Sequence, residues 1–183
     1  TEAMAEAEHK VNHALFSPSG EKILFMHRWI LPDGKHSRLY TINADGSGLK
    51  LLMDMRLVSH YHWRGDDQVA VYGRTLGGDG YFLIEVSTGE IKPLAPGRLN
   101  LYGDGHCSFS YDKSWLVTDS YPDKARQQHL WSDQPESDNR VKEGCFLTPP
   151  SCGKLQRCHS KRLFSWDRSL ICVDTGHSGV RRT

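Results

Sequence analysis

Residues Asp104 to Asp123 read DGHCSFSYDKSWLVTDSYPD, and the parsing of this stretch decides the parsing of the whole chain. A short β-favouring run ends at Phe109, the turn residues Tyr111-Asp112-Lys113-Ser114 follow, and a second run occupies Trp115 to Asp119. The pattern predicts strand, tight turn, strand. His106 stands three residues before Phe109, and the same spacing recurs upstream as His13 before Phe16 and as His60 before Trp63. The intervals between these histidines are 47 and 46 residues, so the stretch is one copy of a repeat.

Working outward, the copy from His13 reads HALFSPSGEKILFMHRW, with Ser17-Pro18-Ser19-Gly20 as a turn before the run Ile23 to Met26. After a loop holding Pro32-Asp33-Gly34, Arg38 to Asn43 forms a third strand, and Ala44-Asp45-Gly46-Ser47 turns it into a fourth, Leu49 to Met53. The copy from His60 repeats this plan, with Tyr81 to Val86 third, the turn Ser87-Thr88-Gly89-Glu90, and Ile91 to Leu94 fourth. In the His106 copy the third strand, HLWSDQPESDN, reads as degraded, and Val141 to Leu147 closes the unit. A last copy opens near Cys158, with Phe164, the turn Ser165-Trp166-Asp167-Arg168 and the strand Leu170 to Asp174.

Four-stranded antiparallel units at this period are the signature of β-propeller blades, and the period-two texture excludes a helical solenoid. The expectation is an all-β chain. It has an N-terminal extension over 1–10 and about three and a half blades over 11–56, 57–103, 104–155 and an incomplete 156–183. That number of blades leaves faces and edges open, so the chain is read as the C-terminal half of a larger propeller or a gene fragment. Self-completion by oligomerisation is the less favoured alternative.

Composition narrows the function classes. With 183 residues, 38% hydrophobic, 25% charged and a net charge of +1, the chain lacks the basic field that nucleic acid requires. It has no apolar run of membrane-spanning length, and TEAMAEAEHK has neither the basic start nor the apolar centre of a signal peptide, so a cytoplasmic location is expected, or a periplasmic one if the true N-terminus is missing. The five cysteines, Cys107, Cys145, Cys152, Cys158 and Cys172, are odd in number and form no CxxC pair, which predicts free thiols.

The innermost strand of a blade lines the central channel, so His13, His60 and His106 converge on one funnel, with Gln156, His159 and Lys161 of the last copy around the same place. A lone histidine there more often bonds a neighbouring blade's backbone. An aligned set suits a divalent ion, for which neutral imidazole is the commonest ligand. His27 and His36, in or beside loops of the first blade, read as surface histidines, and Arg38 alone as a solvated residue pairing with Asp45 or Glu85. The stretch DSYPDKAR, from Asp119 to Arg126, reads as a plain turn on Pro122-Asp123, and Trp29 and Tyr102 as packing aromatics more than sugar platforms.

The blade texture, Arg38-Leu39-Tyr40 with its following Ala44-Asp45-Gly46 turn, the DGHCSFS stretch and the Gln156-x-x-His159 opening of the last repeat together resemble the oligogalacturonate lyase family. The resemblance covers most of residues 9 to 183, about half of such a seven-bladed propeller enzyme. FSPSG-type turns are shared with TolB-like and WD-repeat-like propellers. The ordered series Arg, His, His, Gln, His is far more specific. The resemblance implies manganese held by His106, Gln156 and His159, His60 as general base with Arg38 as its partner, and an oligogalacturonide substrate cleaved by β-elimination. Lys161 falls where a third metal histidine is expected, and an ammonium cannot ligate. Little activity is expected of these 183 residues alone, and the competing reading is a non-catalytic propeller that binds protein or peptide.

Overall fold

The computed structural model describes residues 2–99, 103–148, 162–165 and 170–173. The chain divides into two compact units, Thr1–Lys92 and Pro93–Thr183. After a short helix α1 (Glu2–Ala5), the first unit holds two sheets, each with its strands in sequence order. Sheet 1 is β1 (Glu8–Phe16), β2 (Lys22–Leu31), β3 (Gly34–Asn43) and β4 (Lys50–Met53). Sheet 2 is β5 (Val58–Trp63), β6 (Gln68–Thr75), β7 (Gly78–Glu85) and β8 (Ile91–Pro93). β1 starts at Glu8, inside the stretch set down as an extension, because Glu8 through Asn12 pair in register with Ile30 through Met26.

Strand alternation builds the core of this unit. Leu24 and Met26 of β2, Leu39 of β3, and Leu52 and Met53 of β4 form one apolar cluster with Val58, Trp63, Val69, Val71, Phe82, Ile84 and Val86 of the second sheet's segment. Each such side chain contributes about 1.5–3 kcal/mol on burial. Specific bonds set the spacing of the two sheets: Trp63 Nε1 donates to the Leu15 carbonyl at 3.1 Å, and Tyr61 Oη to the His13 carbonyl at 2.6 Å. Ser37 Oγ donates to the Val58 carbonyl at 2.6 Å and accepts from the Val58 amide at 2.8 Å. Trp63 is 2% exposed, whereas Phe16, at the corresponding place in sheet 1, is 61% exposed.

The β2–β3 connection is tighter than the sequence suggests. Leu31 pairs directly with Gly34, so Pro32-Asp33 alone makes the turn and both strands run ten residues. This overturns the reading of His27 and His36 as surface histidines in or beside loops. His27 lies half-buried within β2, and His36 is buried in β3, stacked against Trp29 and bonded through Nε2 to Asp33 at 2.7 Å. Trp29 is itself buried, as packing required.

In the second unit, sheet 3 comprises β9 (Cys107–Phe109), β10 (Leu116–Asp119), β11 (Gln127–Asp133) and β12 (Arg140–Leu147), again in sequence order, and β13 (Arg162–Phe164) pairs with β14 (Ile171–Val173). The third strand, expected to be degraded, is intact. β11 pairs along its length with β12, and its polar residues Gln128, His129, Ser132 and Asp133 are buried. The physical reason is local pairing: Asp133, fully buried, takes Arg98 Nη2 at 3.0 Å, Ser120 Oγ takes the His129 amide at 3.0 Å, and the Arg140 guanidinium lies 3.9 Å over the Trp131 ring. DSYPDKAR is a plain turn, with Asp123 Oδ1 accepting from the Gln127 amide at 2.9 Å. Among the described residues, no helix is long and apolar enough to cross a membrane.

Candidate functional site

The repeated histidine position coincides with a backbone irregularity in both sheets of the first unit. β1 carries a bulge between Asn12 and Leu15, and β5 one between Val58 and Tyr61, so His13 and His60 sit on extra residues without a cross-strand partner in register. Bulges re-aim side chains and increase twist, and they gather near functional positions. His13 adopts a left-handed backbone (φ 56°), uncommon for a residue with a Cβ. His60 is half-buried.

His106 precedes β9 and faces the end of β10. Its carbonyl accepts from the Asp119 amide at 3.3 Å, its own amide donates to Asp119 Oδ1 at 2.5 Å, and its Nδ1 lies 3.4 Å from the same oxygen. The imidazole is 27% exposed while the Asp119 side chain is 3% exposed, so a buried carboxylate stands beside a partly exposed ring. The sequence reading did not single out Asp119, yet the signal was present. A hairpin turning about Asp112-Lys113 places residue 106 opposite residue 119, in line with the observed pairs Phe109 with Leu116 and Cys107 with Thr118. Cys107 is a buried free thiol that burial, with Asp104 adding to it, pushes up to about 12; Cys145 and Cys172 are free and exposed.

Arg38 is on β3, half-buried, its guanidinium 5.3 Å from both the Trp29 and Tyr40 ring centroids. Nε donates to His27 Nδ1 at 3.1 Å and Nη1 stands 3.9 Å from Asp54. The expected partners Asp45 and Glu85 are not the ones it meets. Burial, then the charges of Arg38 and His9, hold the His27 pKa below its ordinary value, with Asp54 opposing. The Ser37–Val58 bonds draw the start of β5 against β3, next to Arg38 in one strand and two residues before His60 in the other.

Gln156, His159 and Lys161 lie outside the described residues, as do Tyr102, Cys152 and Cys158. Among the described residues no group of three or more histidine, cysteine, aspartate or glutamate side chains is gathered as a metal would need. His106 contributes one nitrogen donor with a carboxylate behind it, which fits a single ligand of such a set.

Four-stranded antiparallel meanders in sequence order, each with a repeated histidine in or just before its first strand, define the architecture, and an apolar seam joins the two sheets of the first unit. The sheets are β-propeller blades. The chain matches no known protein family model, and no curated protein is similar to it in sequence. Among solved structures it is similar to an oligogalacturonate lyase in complex with manganese, at 15% identity over 93% of this chain and 48% of that one, with a TM-score of 0.60. It is similar also to a chain of a nidogen/laminin complex (8% identity, 91% and 57% covered, TM-score 0.64). A third is TolB from Acinetobacter baumannii (9%, 91% and 43%, TM-score 0.58). The propeller chain spans about half the length of these structures, and identities this low establish the fold alone.

Proposed function

We propose that the chain is part of a propeller lyase that cleaves short oligogalacturonides by β-elimination to 4,5-unsaturated uronates. The observation that carries this reading is the His106–Asp119 pair, a partly exposed imidazole with a buried carboxylate 3.4 Å from its Nδ1, a pairing that often accompanies metal-ligating histidines. Fold similarity to an oligogalacturonate lyase in complex with manganese supports it. His106, Gln156 and His159 would hold the cation, which when bound supplies Lewis-acid stabilisation to the substrate carboxylate. In this reading Lys161, which stands in sequence where a third metal histidine is expected, would add a charge that cannot ligate and would oppose the cation.

In this reading neutral His60 takes the proton α to the uronate carboxylate. The released electron pair forms the carbon–carbon double bond as the bond to the 4-linked oxygen breaks, and the leaving oxygen takes up a proton. Arg38 meets the negative charge that develops on the carboxylate, with its Nη groups as donors since Nε is held by His27. The test is absorbance from unsaturated uronate on digalacturonate, with and without manganese, using the full-length protein. A manganese-dependent rise is expected, and a well-folded, manganese-loaded protein that gives none sinks the lyase reading.

A second reading, a non-catalytic propeller that binds protein or peptide, is favoured by the setting of Arg38. A guanidinium lying between Trp29 and Tyr40 and bonded to His27 has the surroundings of a packing residue. Inactivity of the full-length protein together with capture of a peptide would select this alternative.

A further inference from the structure

We propose that the outer face of sheet 1 is a docking surface for a further four-stranded antiparallel sheet, supplied by the same polypeptide ahead of β1. The inference rests on packing within the first unit and stands apart from the lyase reading.

The first support is a repeated face. Phe16, Ile23 and Ile42 stand opposite one another across β1, β2 and β3, as Trp63, Val69 and Ile84 do across β5, β6 and β7. Phe25 opposite Tyr40 answers in the same way to Val71 opposite Phe82. Directly opposed residues of a ladder share a face. Sheet 1 therefore turns outward the pattern that sheet 2 packs against Leu24, Met26 and Leu39 of sheet 1.

The second support is exposure. Val11 and Phe16 precede Val58 and Trp63 by the same interval that separates His13 from His60. Val58 and Trp63 are 1% and 2% exposed, covered by sheet 1, whereas Val11 and Phe16 are 66% and 61% exposed, and Leu51, opposite Tyr40, is 44% exposed. An apolar field of this kind, bounded at one end by the bonded pair Arg38 and His27, marks an interaction surface.

The third support identifies the occupant. What covers the pattern in sheet 2 is an aliphatic sheet face, and two sheets stack by interdigitating such side chains. A second copy of the chain has no equivalent face of sheet 1 to offer, because its Leu24, Met26 and Leu39 are already wholly buried against sheet 2. Within the unit the covering sheet, β1 to β4, comes before the covered one, β5 to β8, so by the same order the occupant comes before sheet 1. Phe16 has no counterpart of the Trp63 Nε1 proton that bonds the Leu15 carbonyl, so its place in the seam is held by apolar contact.

The experiment is hydroxyl-radical footprinting of the 183-residue chain and of the full-length protein, read by mass spectrometry of peptides. Each side chain's rate is divided by its rate in the urea-unfolded chain. Val11 and Phe16 are expected to oxidise readily in the 183-residue chain and to lose that oxidation in the full-length protein, while exposed Leu76 oxidises in both and Trp63 in neither. Equal oxidation of Phe16 in the two proteins overturns the proposal. Protection of Phe16 in the 183-residue chain that grows with its concentration also overturns it, in favour of pairing between copies, as does an intact mass of the native polypeptide that leaves no room for a further sheet. A second readout is Phe16→Ser, which should lower the urea midpoint of the full-length protein and leave that of the 183-residue chain in place; equal shifts in both count against the docked sheet. Neither readout involves substrate or metal, so a failure of the lyase reading is seen separately.

Discussion

Arg38 donates from Nε to Nδ1 of His27 at 3.1 Å, across a register pair of β2 and β3, and this bond dictates where the protons of two imidazoles sit. A guanidinium only donates, so Nδ1 of His27 is an acceptor and the ring's proton is on Nε2. That nitrogen lies 2.9 Å from Nδ1 of His9, which leaves His9 to donate from Nε2 to the Met4 carbonyl of α1 at 2.6 Å. The chain from Arg38 to the helix closes only when both rings are neutral.

Acid should therefore loosen the first unit. Burial first, then Arg38 and His9, hold the His27 pKa below the ordinary 6.5, against the pull of Asp54. With the folded pKa below the unfolded one, the unfolded chain takes the proton first as pH falls. The contribution of His27 is then complete above 6.5 and declines below it until the folded pKa is passed. Chemical denaturation on either side of that pH should show wild type losing more stability than His27→Gln; equal losses would show that the bonded chain has no such linkage.

Ser37 joins two sheets through one hydroxyl that both donates to and accepts from Val58. Ser37→Ala leaves a buried amide and a buried carbonyl without that partner, and should cost about 1–3 kcal/mol. Urea denaturation measures it, and a change below a few tenths would mean that water takes the place of the hydroxyl.

Asp133 is fully buried, and burial pushes its carboxyl up while Arg98 and Arg140 pull it down. Arg98→Met removes the directly bonded partner and should destabilise by about 3 kcal/mol, since the buried carboxylate keeps only the pull of Arg140. The loss should shrink in acid, where Asp133 takes a proton, and in an Asp133→Asn background. An equal loss in both backgrounds would assign the effect to the bonds of Arg98 with Ser137 and Asp138 instead.

The thiols should separate by reactivity. Alkylation at neutral pH, followed by mass spectrometry of peptides, is expected to label exposed Cys145 and Cys172 and to spare buried Cys107 in the folded chain. Equal labelling of all three would show that β9 opens readily.

Much of the fold was legible because a blade repeats: three histidines at 47- and 46-residue intervals, each three residues before an aromatic, mark the first strands of three sheets, β1, β5 and β9 with its flank. What escaped has physical causes. β11 reads as broken because Gln128, His129, Ser132 and Asp133 are polar, and their partners Ser120 and Arg98 are brought near only by folding. His27 and His36 read as loop residues because Pro32-Asp33-Gly34 resembles a wide loop, whereas two of its residues make the turn. The bulges that re-aim His13 and His60 leave no mark in a single sequence, since an inserted residue looks like any other. Where Gln156 and His159 stand relative to His106 is likewise a matter of tertiary arrangement, which residue spacing does not encode.

The close approach of Gly105 to the Asp119 carbonyl also has a meaning on the scale of descent. A side chain at 105 would push the strand end away and with it the carboxylate beside His106, so positions 105, 106 and 119 are sterically tied to one another. In diverging copies of this chain the glycine, the histidine and the aspartate thirteen residues on should be kept or abandoned together, which makes the triplet a sharper mark for tracing relatives than the blade motifs that every propeller shares.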